Sequence, residues 1–245
     1  MYALVIAFVI SSRLATAAEF DHVHLNVTDP AAAARWYAKN LGGQSPSDDS
    51  VNFGRVTLRF RKVAEAAEGS VGSAIDHLGF AYPDIVAKMR ELAASDVEIV
   101  SGIEVEGPIK YAFVRDRWNT LLEIVEDAEV TGFHHIHIAT TDPRAALAWY
   151  QDSLAGQRGR FAGVLPGIRF RDGWVLAKGA DKPRAPTKGR SIDHVSWSAA
   201  SADRLVETLQ KRGARVERET DDGDQAPDLF LAAPDGARIE LVERR

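Results

Sequence analysis

Seven histidines and no cysteine occur in the 245 residues. A metal or catalytic site in such a chain draws on imidazole nitrogens and carboxylate oxygens, since thiolates, iron–sulfur clusters and disulfides are excluded. His77 and Glu123 are 46 positions apart, and so are His194 and Glu240. The step from His22 to His77 is 55 positions, and that from His135 to His194 is 59. Glu123 lies between Leu122 and Ile124, and Glu240 between Ile239 and Leu241. A carboxylate in such an apolar run either reaches water or has a partner, because burying it alone is costly. Two neutral imidazoles and one carboxylate form a facial divalent-metal site with open positions for substrate or water. The competing reading, core histidines and solvent-facing glutamates, is weakened because the set occurs twice.

The elements that must position these groups repeat as well. Residues 20–44 and 133–157 align without gaps and share 13 of 25 positions, including the His-x-His, Thr-Asp-Pro, Trp-Tyr and Gly-Gln steps. Ile75-Asp76-His77-Leu78 recurs as Ile192-Asp193-His194-Val195, and Leu122-Glu123-Ile124-Val125-Glu126 as Ile239-Glu240-Leu241-Val242-Glu243. The chain therefore reads as a tandem duplication, 19–130 and 131–245. Each half divides into two units in which a strand is followed by a helix and further strands.

The first helix of each half starts at a capping Asp29-Pro30 or Asp142-Pro143 and carries an apolar Trp-Tyr-Leu face. Gly42-Gly43 and Gly156 are expected to stop these helices. The second-unit helices are expected over 84–94 and 202–212. Strands are expected over 56–60, 97–100, 109–114 and 121–125. In the second half they are expected over 168–171, 174–177, 215–217, 229–232 and 238–242, with Asp235-Gly236 in a hairpin turn. Four such units make an α+β protein whose sheets curl while helices cover one face.

Every histidine falls in the opening strand of a unit. Alternation puts His22 and His24 on one face, and likewise His135 and His137, while His134 points away in a structural or exposed role. In 56–60, Val56, Leu58 and Phe60 share one face; Thr57, Arg59 and Arg61 share the other. If the apolar face meets a helix, the arginines line a cavity suited to an anionic or oxygen-rich ligand. The alternative is a solvated sheet edge.

A net charge of −5 argues against a general nucleic-acid or anionic-membrane partner. A small-molecule substrate is the simplest expectation, with a homo-oligomer left open. Ala3 to Ile10 is an apolar run followed by Ala15-Thr16-Ala17. It is too short to span a membrane and reads as an export signal over 1–17, although no Lys or Arg precedes it. Export to the periplasm or medium is therefore the expectation, and a cytoplasmic protein the alternative.

These residues resemble the vicinal oxygen chelate superfamily, which includes glyoxalase I, type I extradiol dioxygenases and bleomycin-resistance proteins. The resemblance runs from Phe20 to Val242. Its motifs are His-x-His-Leu-x-Val with Asp-Pro and Trp-Tyr, then Ile-Asp-His, then Pro-Asp-Gly-Ala-Arg-Ile-Glu-Leu-Val-Glu. It implies four βαβββ units in tandem that form two barrel-like cavities. It also implies a divalent cation, with iron, manganese, zinc, nickel and cobalt undistinguished.

Matched residue by residue, His22 and His135 fall on the first-strand ligand, His77 and His194 on the second His, and Glu123 and Glu240 on the last-strand carboxylate. His24 and His137 then lie near the cavity, hydrogen-bonded to a ligand or acting as base. The extra carboxylate ligand of glyoxalase I has no counterpart. Where extradiol dioxygenases carry a Tyr ten residues before the ligand Glu, this chain has Phe113 and Phe230, which would face the substrate. The implied activities are a metal-dependent lyase or isomerase that stabilises an enolate or oxyanion, an Fe(II) dioxygenase, or a non-catalytic binding or resistance protein.

Overall fold

The computed structural model describes residues 18–219 and 228–244. The export segment expected over 1–17 lies outside them. Unit one comprises β1 (Glu19–Val27), α1 (Pro30–Leu41), β2 (Gln44–Ser47), β3 (Ser50–Phe53) and β4 (Val56–Lys62). Unit two comprises β5 (Ile75–Tyr82), α2 (Ile85–Ala93), β6 (Glu98–Ile99), β7 (Glu104–Glu106), β8 (Ile109–Arg115) and β9 (Leu121–Glu126). Unit three comprises β10 (Gly132–Thr140), α3 (Pro143–Leu154), β11 (Gln157–Phe161), β12 (Leu165–Phe170) and β13 (Gly173–Gly179). Unit four comprises β14 (Ile192–Ala199), α4 (Ala202–Lys211), β15 (Val216–Glu219), β16 (Asp228–Ala232), a 3-10 turn (Pro234–Gly236) and β17 (Arg238–Glu243).

The helices start where their caps dictate. Asp29 accepts from the Ala32 amide, Asp84 from Ala87 and Asp142 from Ala145, each satisfying one orphan N–H of the first turn. Gly42 ends α1 in the left-handed region, at φ 82°. In α3 that position is Ala155, at φ 56°, and not the expected Gly156. Gly156 is needed for another reason: a Cβ there would overlap Ile168 and the Phe170 ring.

Two sheets form, and each joins units from different halves. One has the order β15-β16-β17-β14-β1-β4-β3-β2, and the other runs β11-β12-β13-β10-β5-β9-β8-β6, with β7 beside β8. Unit one thus pairs with unit four through antiparallel β1 and β14, and unit two with unit three through β5 and β10. Local periodicity leaves this choice open, because nothing in a strand's alternation identifies a neighbour 170 positions away.

The helix-facing side of each sheet is apolar. Val56, Leu58 and Phe60 are buried, and Phe60 packs on Tyr37 of α1 with centroids 5.2 Å apart. The apolar face of β4 therefore meets the helix, and Thr57, Arg59 and Arg61 lie on the opposite face beside β1. An aromatic seam locks the two sheets together. Phe20 of one packs on Phe133 of the other at 5.6 Å, and Phe53 on Phe80 at 4.9 Å. No helix among the described residues is long and apolar enough to cross a membrane.

Candidate metal centres

Registers between neighbouring strands bring the distant histidines together. In the first centre β1 sits beside β14 with His24 opposite His194, and β17 lies parallel to β14 with Glu240 beside Ser196. His22 Nε2 stands 2.9 Å from Glu240 Oε2, and His194 Nε2 stands 3.5 Å from the same oxygen. In the second centre His137 lies opposite His77, with Gly79 between His135 and Glu123. Glu123 Oε2 is 2.8 Å from His77 Nε2, 3.1 Å from His135 Nε2 and 3.8 Å from His137 Nδ1. Each cavity therefore draws on both halves of the chain, and all six expected ligand residues converge in two groups of three.

Both groups are buried, with Glu123 8% and Glu240 6% exposed, so neither carboxylate is a solvent-facing group. Burial opposes protonation of His22 and His77. The carboxylates of Asp21 and Glu240 in one case, and of Asp76 and Glu123 in the other, outweigh it and raise both pKa values. Burial lowers His24 to about 3 and His135 and His137 to about 4. Burial also works against charge on Glu123 and Glu240, but the surrounding imidazoles hold both carboxyls below their usual range.

Adjacent residues supply a feature that alternation alone does not predict. The Nδ1 atoms of His22, His77 and His194 each meet the carboxylate of the preceding aspartate: Asp21 at 2.7 Å, Asp76 at 2.9 Å and Asp193 at 2.6 Å. For His135 the preceding residue is His134, whose Nδ1 is 2.8 Å from His135 Nδ1. His134 is fully buried and also 3.4 Å from Asp127, so it is neither exposed nor remote from the site.

The physical cause lies in four register shifts. Asp21, Asp76, His134 and Asp193 each fall at an extra residue in the β1–β14 or β5–β10 ladder. A bulge breaks strict alternation and lets neighbouring side chains meet. The Asp-His dipeptide, present three times, was the available sequence signal.

The outer residues divide. Arg59 makes no ion pair among the described residues and borders a cleft of about 600 Å³ that reaches His22 and Glu240. Arg61 is committed elsewhere. Its Nε donates to Asn26 and its other end reaches Asp193 at 3.0 Å, so it braces the partner of His194. Phe113 packs edge-on against His77 at 5.2 Å and Phe230 against His194 at 5.1 Å. Arg238 covers the ring of Phe230, which makes that phenyl a wall for the histidine. The second centre is flanked by an apolar cluster that includes Trp174 and Phe161.

The residues fit a cation. His22 Nε2 and Glu240 Oε2 are buried and close, yet neither has hydrogen-bond geometry to a partner among the described residues. Lone pairs that approach without bonding each other are what two groups sharing a third partner leave behind. With each Nδ1 engaged by Asp, the Nε2 atoms of His22, His77 and His194 are the ring nitrogens turned toward the site, where His77 Nε2 meets Glu123 and His194 Nε2 meets His24.

Fold and site define a scaffold of paired units with two candidate metal centres. The model of the Glyoxalase/Bleomycin resistance protein/Dioxygenase superfamily matches residues 19–124 and 132–241, and the chain belongs to that superfamily. Glyoxalase I from Zea mays is similar in structure, with a TM-score of 0.72 at 15% identity over 92% of each chain. A dioxygenase candidate from Bacillus subtilis subsp. subtilis str. 168 gives 0.64 at 15% identity, over 92% of this chain and 84% of its own. At such identities the likeness concerns the fold. No curated protein matches the chain in sequence.

Proposed function

We propose that the protein is a divalent-metal-dependent enzyme, a lyase or isomerase, acting on a small oxygen-rich substrate that presents two adjacent oxygens. The observation that carries this reading is the convergence, in two separate sheets, of two buried histidines on one buried glutamate oxygen. A cation held there would supply a Lewis acid that stabilises negative charge developing on those oxygens.

The chain's own residues do the rest. Asp21 and Asp193 orient His22 and His194, while Glu240 supplies the compensating negative charge. Arg59, which makes no ion pair among the described residues, borders the cleft and suits an anionic group on the substrate. We place turnover at the first centre, because the cleft that Arg59 borders leads to His22 and Glu240.

An Fe(II) dioxygenase is the second reading, since two histidines and a carboxylate also suit oxygenase iron. Phe113 and Phe230 favour the first. A phenyl ring beside each second histidine cannot exchange a proton with substrate, whereas a tyrosine could. Turnover separates the readings. Protein reloaded with nickel, zinc, manganese or cobalt should process a chelating substrate anaerobically and consume no oxygen on a catechol panel. Iron-dependent oxygen uptake would transfer the assignment to the dioxygenase. Failure of every metal to bind would return the chain to the binding or resistance class.

A further inference from the structure

Two histidines and one glutamate leave one imidazole in each cavity without a task. His137 shares a face of β10 with His135, and both of its ring nitrogens are buried with no hydrogen-bond partner among the described residues. Its Nδ1 is 3.8 Å from Glu123 Oε2, beyond hydrogen-bond reach, so it does not orient that carboxylate. Its ring centroid stands 4.6 Å from that of His77. A side chain buried for packing alone would be costly with both polar atoms orphaned.

His24 occupies the equivalent place. Its Nδ1 is 3.0 Å from Nε2 of His194, whose own Nδ1 is taken by Asp193. Two donors on adjacent positions of an ion with ~2.1 Å bonds stand about 3 Å apart. His77, Glu123, His135 and His137 each bring one donor atom within 4.8 Å of the others, and so do His22, His24 and His194. The His-x-His step that delivers the extra ring occurs in both halves.

We propose that His24 and His137 are metal ligands, so that the second centre holds its cation with three imidazoles and Glu123, and the first with three imidazoles and Glu240, which meets His22 and His194. This rests on the metal-dependent reading above and excludes the same two nitrogens from acting as general base. The count has a chemical consequence. Three protein donors leave three positions on a six-coordinate ion, whereas four leave two. A substrate with two adjacent oxygens would fill both. The extra imidazoles favour nickel, zinc or cobalt over manganese, which prefers oxygen donors.

The test is X-ray absorption at the cobalt edge of the full chain loaded with Co(II), where imidazole scattering gives the number of histidines per ion. Three per ion in the wild type supports the proposal, and two overturns it while leaving the metal-dependent reading intact. If Co(II) fails to bind at all, both fall. The wild-type spectrum requires no variant to fold. A second measurement uses His24→Gln with His137→Gln, checked for native circular dichroism. The count should drop to two and the Co(II) dissociation constant should rise at least tenfold; an unchanged count and affinity would overturn the proposal.

Discussion

His134 Nδ1 lies 2.8 Å from His135 Nδ1. At that position the other three principal histidines meet an aspartate carboxylate. Groups that brace a metal-ligating imidazole are each worth about ten- to a hundredfold in metal affinity. His134→Ala should therefore weaken the second centre by that factor. His134→Asp, which copies the arrangement at His22, should restore it. Isothermal titration on a Glu240→Gln background, which disables the first centre, makes the comparison. Equal affinities for the wild type and His134→Ala would remove His134 from the site.

Gly79 lies directly across the ladder from His135, and a Cβ built on it would overlap the imidazole. Gly79→Ala should displace His135 and abolish binding at the second centre alone. Metal content should fall from about two ions per chain to about one, with the fold retained. Full retention at both centres would contradict this placement of His135.

Arg59 and Arg61, on the same face of one strand, should behave differently. Arg59→Gln should raise KM for an anionic ligand with little change in metal content, since its charge acts on Asp21 only at a distance and it forms no ion pair among the described residues. Arg61→Gln should weaken metal binding at the first centre, because it loosens Asp193 behind His194. Metal analysis and steady-state kinetics on the two variants separate the roles. Metal loss in Arg59→Gln would refute the division.

Asp116 is fully enclosed, accepting from Tyr37 at 2.7 Å and from the amides of Trp118 and Thr120. Burial nonetheless pushes it up to about 6, against the pull of those donors. Its folded pKa exceeds the unfolded one, so its contribution is fully present below about pH 4 and is lost as pH rises through about 6. Asp116→Asn should flatten the fall in stability between those pH values, as read by urea unfolding at each pH. A wild-type profile unchanged by the substitution would contradict the shift.

Ala155 ends α3 in the left-handed region, where a Cβ is unfavourable by about 1 kcal/mol. Ala155→Gly should raise the melting temperature of the protein by a few degrees. The same position shows how the sequence misleads. Gly156 carries the usual stop residue, but packing against Ile168 and Phe170 claims it, and the cap falls one residue earlier.

Much of the architecture was legible because it is local. The duplicated His-x-His step, the Asp-Pro caps and the apolar face of 56–60 each follow from a nearest-neighbour rule of strands or helices. Three kinds of information were not local. The pairing of β1 with β14 depends on complementarity between distant surfaces. The contacts of Asp21, Asp76, Asp193 and His134 depend on bulges, which alternation cannot anticipate, and alternation alone points His134 away from the His135 ring that it meets. Short exposed strands such as Gln44–Ser47 bury nothing and leave no pattern to read. The 97–100 strand shrank to Glu98–Ile99 for the same reason. Arg61 sits on the expected face, but its commitment to Asp193 is a tertiary fact.

The central claim is that Glu123 and Glu240 each anchor a separate cation. Metal stoichiometry after stripping, reloading with Co(II) and exhaustive dialysis tests it most directly. The account predicts about two ions per chain for the wild type, about one for either Glu123→Gln or Glu240→Gln, and none for the double variant. A wild-type protein that retains no metal, or a double variant that retains as much as wild type, would contradict it.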